Sequence, residues 1–114
     1  MIKLVINSDF GGFGLSDEAI REYFRRKNWN LVEKVSNYDQ ILFYRDFVSN
    51  DTCFWAIDLE RNDTDLVAIV EQMGDSAGSK FSSLKIVEIP ENVEWELCEY
   101  DGREWIAEKH RTWR

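Results

Sequence analysis

One proline, one histidine and two cysteines are all that this 114-residue chain holds of the residues that most often serve as breakers, bases and staples. Cys53 and Cys98 are too few for a disulfide framework. Neither belongs to a C-x-x-C pair, so a structural zinc site is not expected, and both are read as reduced thiols. His110 is the only histidine, so no H-x-x-x-H or H-E-x-x-H pair exists. A triad would have only that one base to use, which removes Gly74-Asp75-Ser76-Ala77-Gly78 from consideration as a protease fragment. No apolar run approaches the ~18 residues of a membrane-spanning helix, and no basic-then-apolar leader opens the chain. A cytoplasmic protein with no membrane partner is expected. Positive charge is also scarce: 14 Lys and Arg against 22 Asp and Glu give a formal net charge of −8. Backbone-driven binding to duplex nucleic acid is therefore disfavoured. An acidic surface favours solubility, or docking on a basic protein face.

What the chain does have is apolar mass. Hydrophobic residues make up 44% and aromatics 14%, with five Trp, enough for one core in a single domain spanning 1–114. Lys3 to Asn7 reads as a buried strand. Ser16 is a helix N-cap, Asp17 and Glu18 suit the first turn, and Leu15 with Ile20 fits a hydrophobic staple. Ala19, Ile20, Tyr23 and Phe24 repeat at helical spacing. Arg25, Arg26 and Lys27 complement the carbonyl end, and Asn28 or Asn30 ends the helix. Leu31 to Asn37 is ambiguous. Strands are expected at about Gln40 to Asp46, at Cys53 to Leu59 and at Leu84 to Ile89. A second helix, capped within Asn62 to Asp65, runs through Leu66, Val67, Val70 and Met73 to Gly74. The fold class is α+β: a mixed sheet with a C-terminal antiparallel hairpin and two helices.

That hairpin is the clearest element. Asp101-Gly102 is a type I′ turn signal between Val93–Tyr100 and Arg103–His110. A two-residue loop sets Tyr100 opposite Arg103, Glu99 opposite Glu104, Cys98 opposite Trp105 and Leu97 opposite Ile106. Both faces carry apolar or aromatic residues, so the hairpin is expected inside a sheet or under a partner, and a homo-oligomer is expected. Glu99 and Glu104 are opposed like charges, which destabilise a strand pair. Exposure near the turn, Arg103, Lys109, Arg111 or a cation would each relieve them. A sharper alternative gathers Glu99, Glu104, Glu108 and His110 into a carboxylate cluster for a metal or a shared proton.

Chemistry is otherwise suggested at one place. Three of the six glycines lie in Phe10-Gly11-Gly12-Phe13-Gly14, directly before Ser16. Strand, Gly-rich turn and helix start in that order aim backbone N–H groups at one point, and the helix end adds about half a positive charge, a seat for an anion. The run is neither a dinucleotide fingerprint nor a P-loop. The polar segment Asp75 to Ser83 offers Ser79 and Lys80 as a cover. The tail adds His110, Arg111 and Trp113, the last being the tryptophan best placed to meet a ligand, the others being read mostly as core. The expected site is Phe10 to Gly14, Ser16, Ser79, Lys80, His110, Arg111 and Trp113. No catalytic residue, resident metal or cofactor is assigned, and binding is favoured over catalysis.

The opening K-L-V-I-N-S-D-F-G-G-F-G-L-S, the central L-K-I-V-E-I-P-E-N-V-E-W-E and the close E-Y-D-G-R-E-W-I-A-E-K-H-R-T-W resemble a family of short, functionally uncharacterised bacteriophage proteins. The resemblance covers both ends and the stretch from about Asp63 onward. It implies a viral accessory protein in the host cytoplasm, and it transfers no catalytic residue. With the glycine cluster at the helix start as its seat, the expected activity is capture of an anionic, nucleotide-derived small molecule, with counter-defence as its use. The alternatives are an acidic inhibitor of a host protein and a metal-dependent hydrolase.

Overall fold

The computed structural model describes residues 1–46 and 53–109. In chain order the elements are β1 (Ile2–Asn7), α1 (Asp17–Lys27), β2 (Leu31–Val35), β3 (Ile41–Arg45), α2 (Thr64–Met73), β4 (Leu84–Ile89), β5 (Trp95–Tyr100) and β6 (Arg103–Glu108). Single 3₁₀ turns occupy Ala56–Asp58 and Gly74–Ala77. The class is α+β, with the C-terminal hairpin and both helices present.

The mixed sheet is not formed. Among the described residues the strands pair as three separate two-stranded antiparallel ladders, β1–β4, β2–β3 and β5–β6. The reason lies on the outer edge of β1. Val5 N–H donates to the Arg61 carbonyl at 2.8 Å and Asn7 N–H to Glu104 Oε1 at 2.9 Å. A loop and a side chain thus hold the donors that a third strand would need.

The ambiguous stretch after α1 becomes β2. The strand expected over Cys53 to Leu59 is absent: Cys53 makes one bridge to Tyr44, Phe54 N–H bonds the Phe43 carbonyl at 2.7 Å, and the chain then coils. That single rung places the Phe54 ring 5.2 Å from Phe24 and 5.8 Å from Tyr23. Aromatic packing beneath α1 replaces a continued ladder.

The core lies between the helices and one face of β1–β4. Val5, Leu84 and Ile86 share that face and pack with Leu15, Ala19, Ile20, Phe24, Leu66, Ile69 and Val70. The period-3.6 stripe of α1 is buried as its spacing requires. Ser16 Oγ accepts from Ala19 N–H at 3.2 Å at the start of α1, and Asn28 ends it in the left-handed region at φ 58°.

Asp63 ties the two helices together. Its Oδ1 caps α2 by accepting from Asp65 and Leu66 N–H (2.8 and 3.2 Å), while Oδ2 accepts from Tyr23 Oη (2.8 Å) and Lys27 Nζ (3.1 Å). Burial pushes the Asp63 carboxyl up, but the bonds from Tyr23, Lys27 and the two backbone donors outweigh it and hold the group below its usual range. Burial and the same bond push the Tyr23 hydroxyl up to about 12, so it remains a donor. Ionised Asp63 is therefore favoured in the folded chain. Its contribution is complete above the unfolded carboxyl pKa of about 3.9 and is lost as pH falls through the lower folded value. Asp63→Asn is expected to cost about 1–2 kcal/mol at pH 7. Urea unfolding of both proteins at pH 7 and at pH 2.5 checks this: the gap between them should narrow in acid.

Candidate functional site

The hairpin is built as its sequence pattern requires. The register pairs Trp95 with Glu108 through Tyr100 with Arg103, and Asp101 and Gly102 adopt φ 51° and 89°, the two positive values of a type I′ turn. Its tip does not project freely. Gly102 lies against Gly12 N and the Phe10 carbonyl, so closely that a Cβ there would overlap both.

One buried asparagine holds the junction. Asn7 Nδ2 donates to the carbonyls of Gly102 (2.8 Å) and Asp9 (2.7 Å), and Oδ1 accepts from Ser83 N–H (2.9 Å) and Asp9 N–H (3.2 Å). Beside it stands a buried ion pair. Arg61 and Glu104 are each only 5% exposed and join through two parallel bonds, Nη1 to Oε1 and Nη2 to Oε2, the second at 2.8 Å. The Arg61 guanidinium also lies 3.7 Å from the Phe13 ring centroid. Every buried side-chain polar atom among the described residues has a partner.

This arrangement resolves the opposed carboxylates differently from the sequence reading. Glu104 is not exposed; it is buried and matched by Arg61, forty-three positions away in the chain. Glu99 remains exposed and accepts from Gly102 N–H at 2.5 Å. Glu99, Glu104 and Glu108 do not converge, and among the described residues no three His, Cys, Asp or Glu side chains are grouped to hold a metal ion. His110, the fourth member suggested for that cluster, lies outside the described residues.

Where the hairpin meets the ladder, a groove of about 680 Å³ opens. Ile6, Lys85 and Val87 line it from β1–β4, Ser8 from just after β1, and Tyr100, Arg103, Trp105 and Ile106 from the hairpin, with Phe10 at the rim. Phe10, Tyr100 and Trp105 are 53%, 72% and 46% exposed. Arg103 stands 5.7 Å from the Phe10 ring centroid. Among the described residues neither Lys85 nor Arg103 has an ion-pair partner. The one carboxylate in the lining, Glu104, is already matched by Arg61.

The expected site residues are divided by the fold. Phe10 belongs to this groove. Phe13, Gly14, Ser79 and Lys80 line a second groove of about 560 Å³ on the other side of the glycine turn, with Trp55, Ile57 and Phe81. Gly11 and Gly12 line neither: Gly11 presses on the Phe81 backbone, and Gly12 on the hairpin tip. Ser16 is occupied, since its hydroxyl donates to the Ser76 carbonyl at 2.6 Å and its N–H to the Ala77 carbonyl at 2.8 Å. The chain's own 76–82 segment thus packs where an anion was expected over the helix start. His110, Arg111 and Trp113 lie outside the described residues.

Sequence reasoning missed Lys85, Tyr100, Arg103 and Trp105 as site residues. It placed most tryptophans in the core, whereas Trp55 and Trp105 are exposed and Trp29 and Trp95 half-buried. The available signal was Tyr100 and Trp105 sharing a hairpin face with Arg103 nearby. The hairpin was expected inside a sheet or under a partner; among the described residues it joins no larger sheet, and within the chain its faces are largely open. The carboxylates do not form one acidic face either: Glu94 and Glu96 alternate away from Glu99 and Glu104. No helix among the described residues is long and apolar enough to cross a membrane. No protein-family model, curated protein or solved structure matches the chain.

Proposed function

We propose that the chain acts by binding, and that the groove between β1–β4 and the hairpin captures a small anionic ligand built on a flat ring, of the nucleotide class. A single observation carries this reading: on a chain of net charge −8, the groove presents two cations without ion-pair partners among the described residues, beside three exposed aromatic side chains. A planar ring gains about 1–3 kcal/mol by stacking on an aromatic face. Lys85 and Arg103 supply the charge that fixes an attached phosphate or carboxylate. Glu104 adds no repulsion, because Arg61 matches it. The volume suits a ligand of that size. In the setting that the sequence resemblance implies, a phage protein in host cytoplasm, such capture withdraws a nucleotide signal from a defence response.

Titration with mononucleotides, cyclic nucleotides and ADP-ribose, followed by tryptophan fluorescence and calorimetry, tests the proposal. Arg103→Glu is expected to weaken binding by about a hundredfold, and Trp105→Ala by about tenfold. The proposal is overturned if none of these compounds binds, or if Arg103→Glu leaves the affinity unchanged.

A further inference from the structure

The hairpin leaves one strand edge unpaired, and we propose that this edge of β5 docks an extended, lysine- or arginine-rich segment of a partner protein. Lys109 N–H donates to the Glu94 carbonyl at 2.9 Å, which fixes the alternation along the strand. Glu94, Glu96, Cys98 and Tyr100 turn their backbone groups toward β6. Trp95, Leu97 and Glu99 turn N–H and C=O outward, and among the described residues nothing bonds to them. β5 pairs with no strand but β6. A two-stranded hairpin is marginal by itself, and an open row of donors and acceptors is a template for one more strand.

Charge selects the occupant. Glu94, Glu96 and Glu99 are all exposed on or beside this strand, and no Lys or Arg occurs from Ile86 to Gly102. A second copy would bring the same three carboxylates to the seam from both sides, which repels. A basic strand places Lys or Arg side chains opposite Glu94 and Glu96, which share one face. Leu97, exposed on the other face, supplies apolar contact to the basic strand's alternate residues. The proposal concerns a different surface from the ligand groove, so each can fail alone.

The probe is a ten-residue peptide of alternating Lys and Val. Its controls are the Glu-for-Lys analogue and an analogue N-methylated at alternate amides. Amide hydrogen exchange read by NMR is expected to slow about tenfold at Trp95, Leu97 and Glu99 with the Lys peptide and with neither control. Changing Glu94, Glu96 and Glu99 together to Gln is expected to weaken binding about tenfold. Leu97→Pro removes an outward donor without touching the β6 ladder and should abolish binding. Should Leu97→Pro fail to fold, the Gln variant and the N-methylated peptide still decide. Unchanged exchange with the Lys peptide, equal protection by the Glu peptide, or protection that appears with protein concentration alone overturns the proposal, the last by making a second copy the occupant.

Discussion

Arg61→Met is expected to destabilise the fold by about 3–5 kcal/mol, because it leaves the buried Glu104 carboxyl without its partner. A domain of this size is held by about 5–15 kcal/mol, so the loss takes a large share of the total. Glu104→Leu should cost a similar amount by stranding Arg61 over the Phe13 ring. The double variant Arg61→Met with Glu104→Leu separates pairing from burial. It removes both charges, and what remains unsatisfied is the Asn7 N–H, worth about 1–3 kcal/mol. The double loss should therefore be well below the sum of the two single losses. Urea unfolding of all four proteins completes the cycle. A single-variant loss under about 1 kcal/mol, or simple additivity, would show that the pair does not hold the hairpin in place.

Gly102→Ala is expected to cost about 3 kcal/mol, from two sources that can be measured apart. The first is conformational, since φ is 89° at Gly102. The second is steric, because the new methyl would meet Gly12 N and the Phe10 carbonyl, with Gly12 Cα at 2.9 Å. Gly12→Ala is the control. Its φ is also 89°, but a Cβ there has nothing within 4 Å. It should lose only the conformational part, about 1 kcal/mol. The difference between the two variants isolates the close approach of hairpin and glycine turn. Displacing the tip also breaks the Asn7 Nδ2 bond to Gly102 and moves Tyr100 and Arg103 away from Phe10, so Gly102→Ala should weaken ligand binding where Gly12→Ala leaves it intact. Equal effects of the two variants on stability would refute the close approach.

Local chemistry was legible in the sequence, and long-range pairing was not. The Asp-Gly turn dictated a hairpin register that the structure reproduces rung by rung, because a two-residue loop permits only one alignment. Ser16, Asp63 and Asn28 ended their helices where side-chain caps and a left-handed residue do so. The strand expected over Cys53 to Leu59 was misread because aromatic and β-branched composition suits a core contact as well as a ladder. The conflict between Glu99 and Glu104 was visible, but its resolution was not. Arg61 sits in Glu60-Arg61-Asn62, where no periodicity or spacing hints that its side chain turns inward. The glycine cluster showed the same limit. Its place between strand and helix was correctly located, yet three glycines in a turn look alike whether they admit a phosphate or another stretch of backbone. Here the backbones are those of Phe81 and of the hairpin tip.

Asn7 has a consequence for the order in which the molecule is made. It belongs to the first strand, but its partners are Ser83, Gly102 and Glu104, the last ninety-seven positions downstream. While the chain emerges from a ribosome, that strand has synthesised neighbours but no finished place to rest. Topologies closed by such distant contacts fold slowly. The Asn7 bonds to Gly102 and Glu104 can close only once the β5–β6 hairpin has been released.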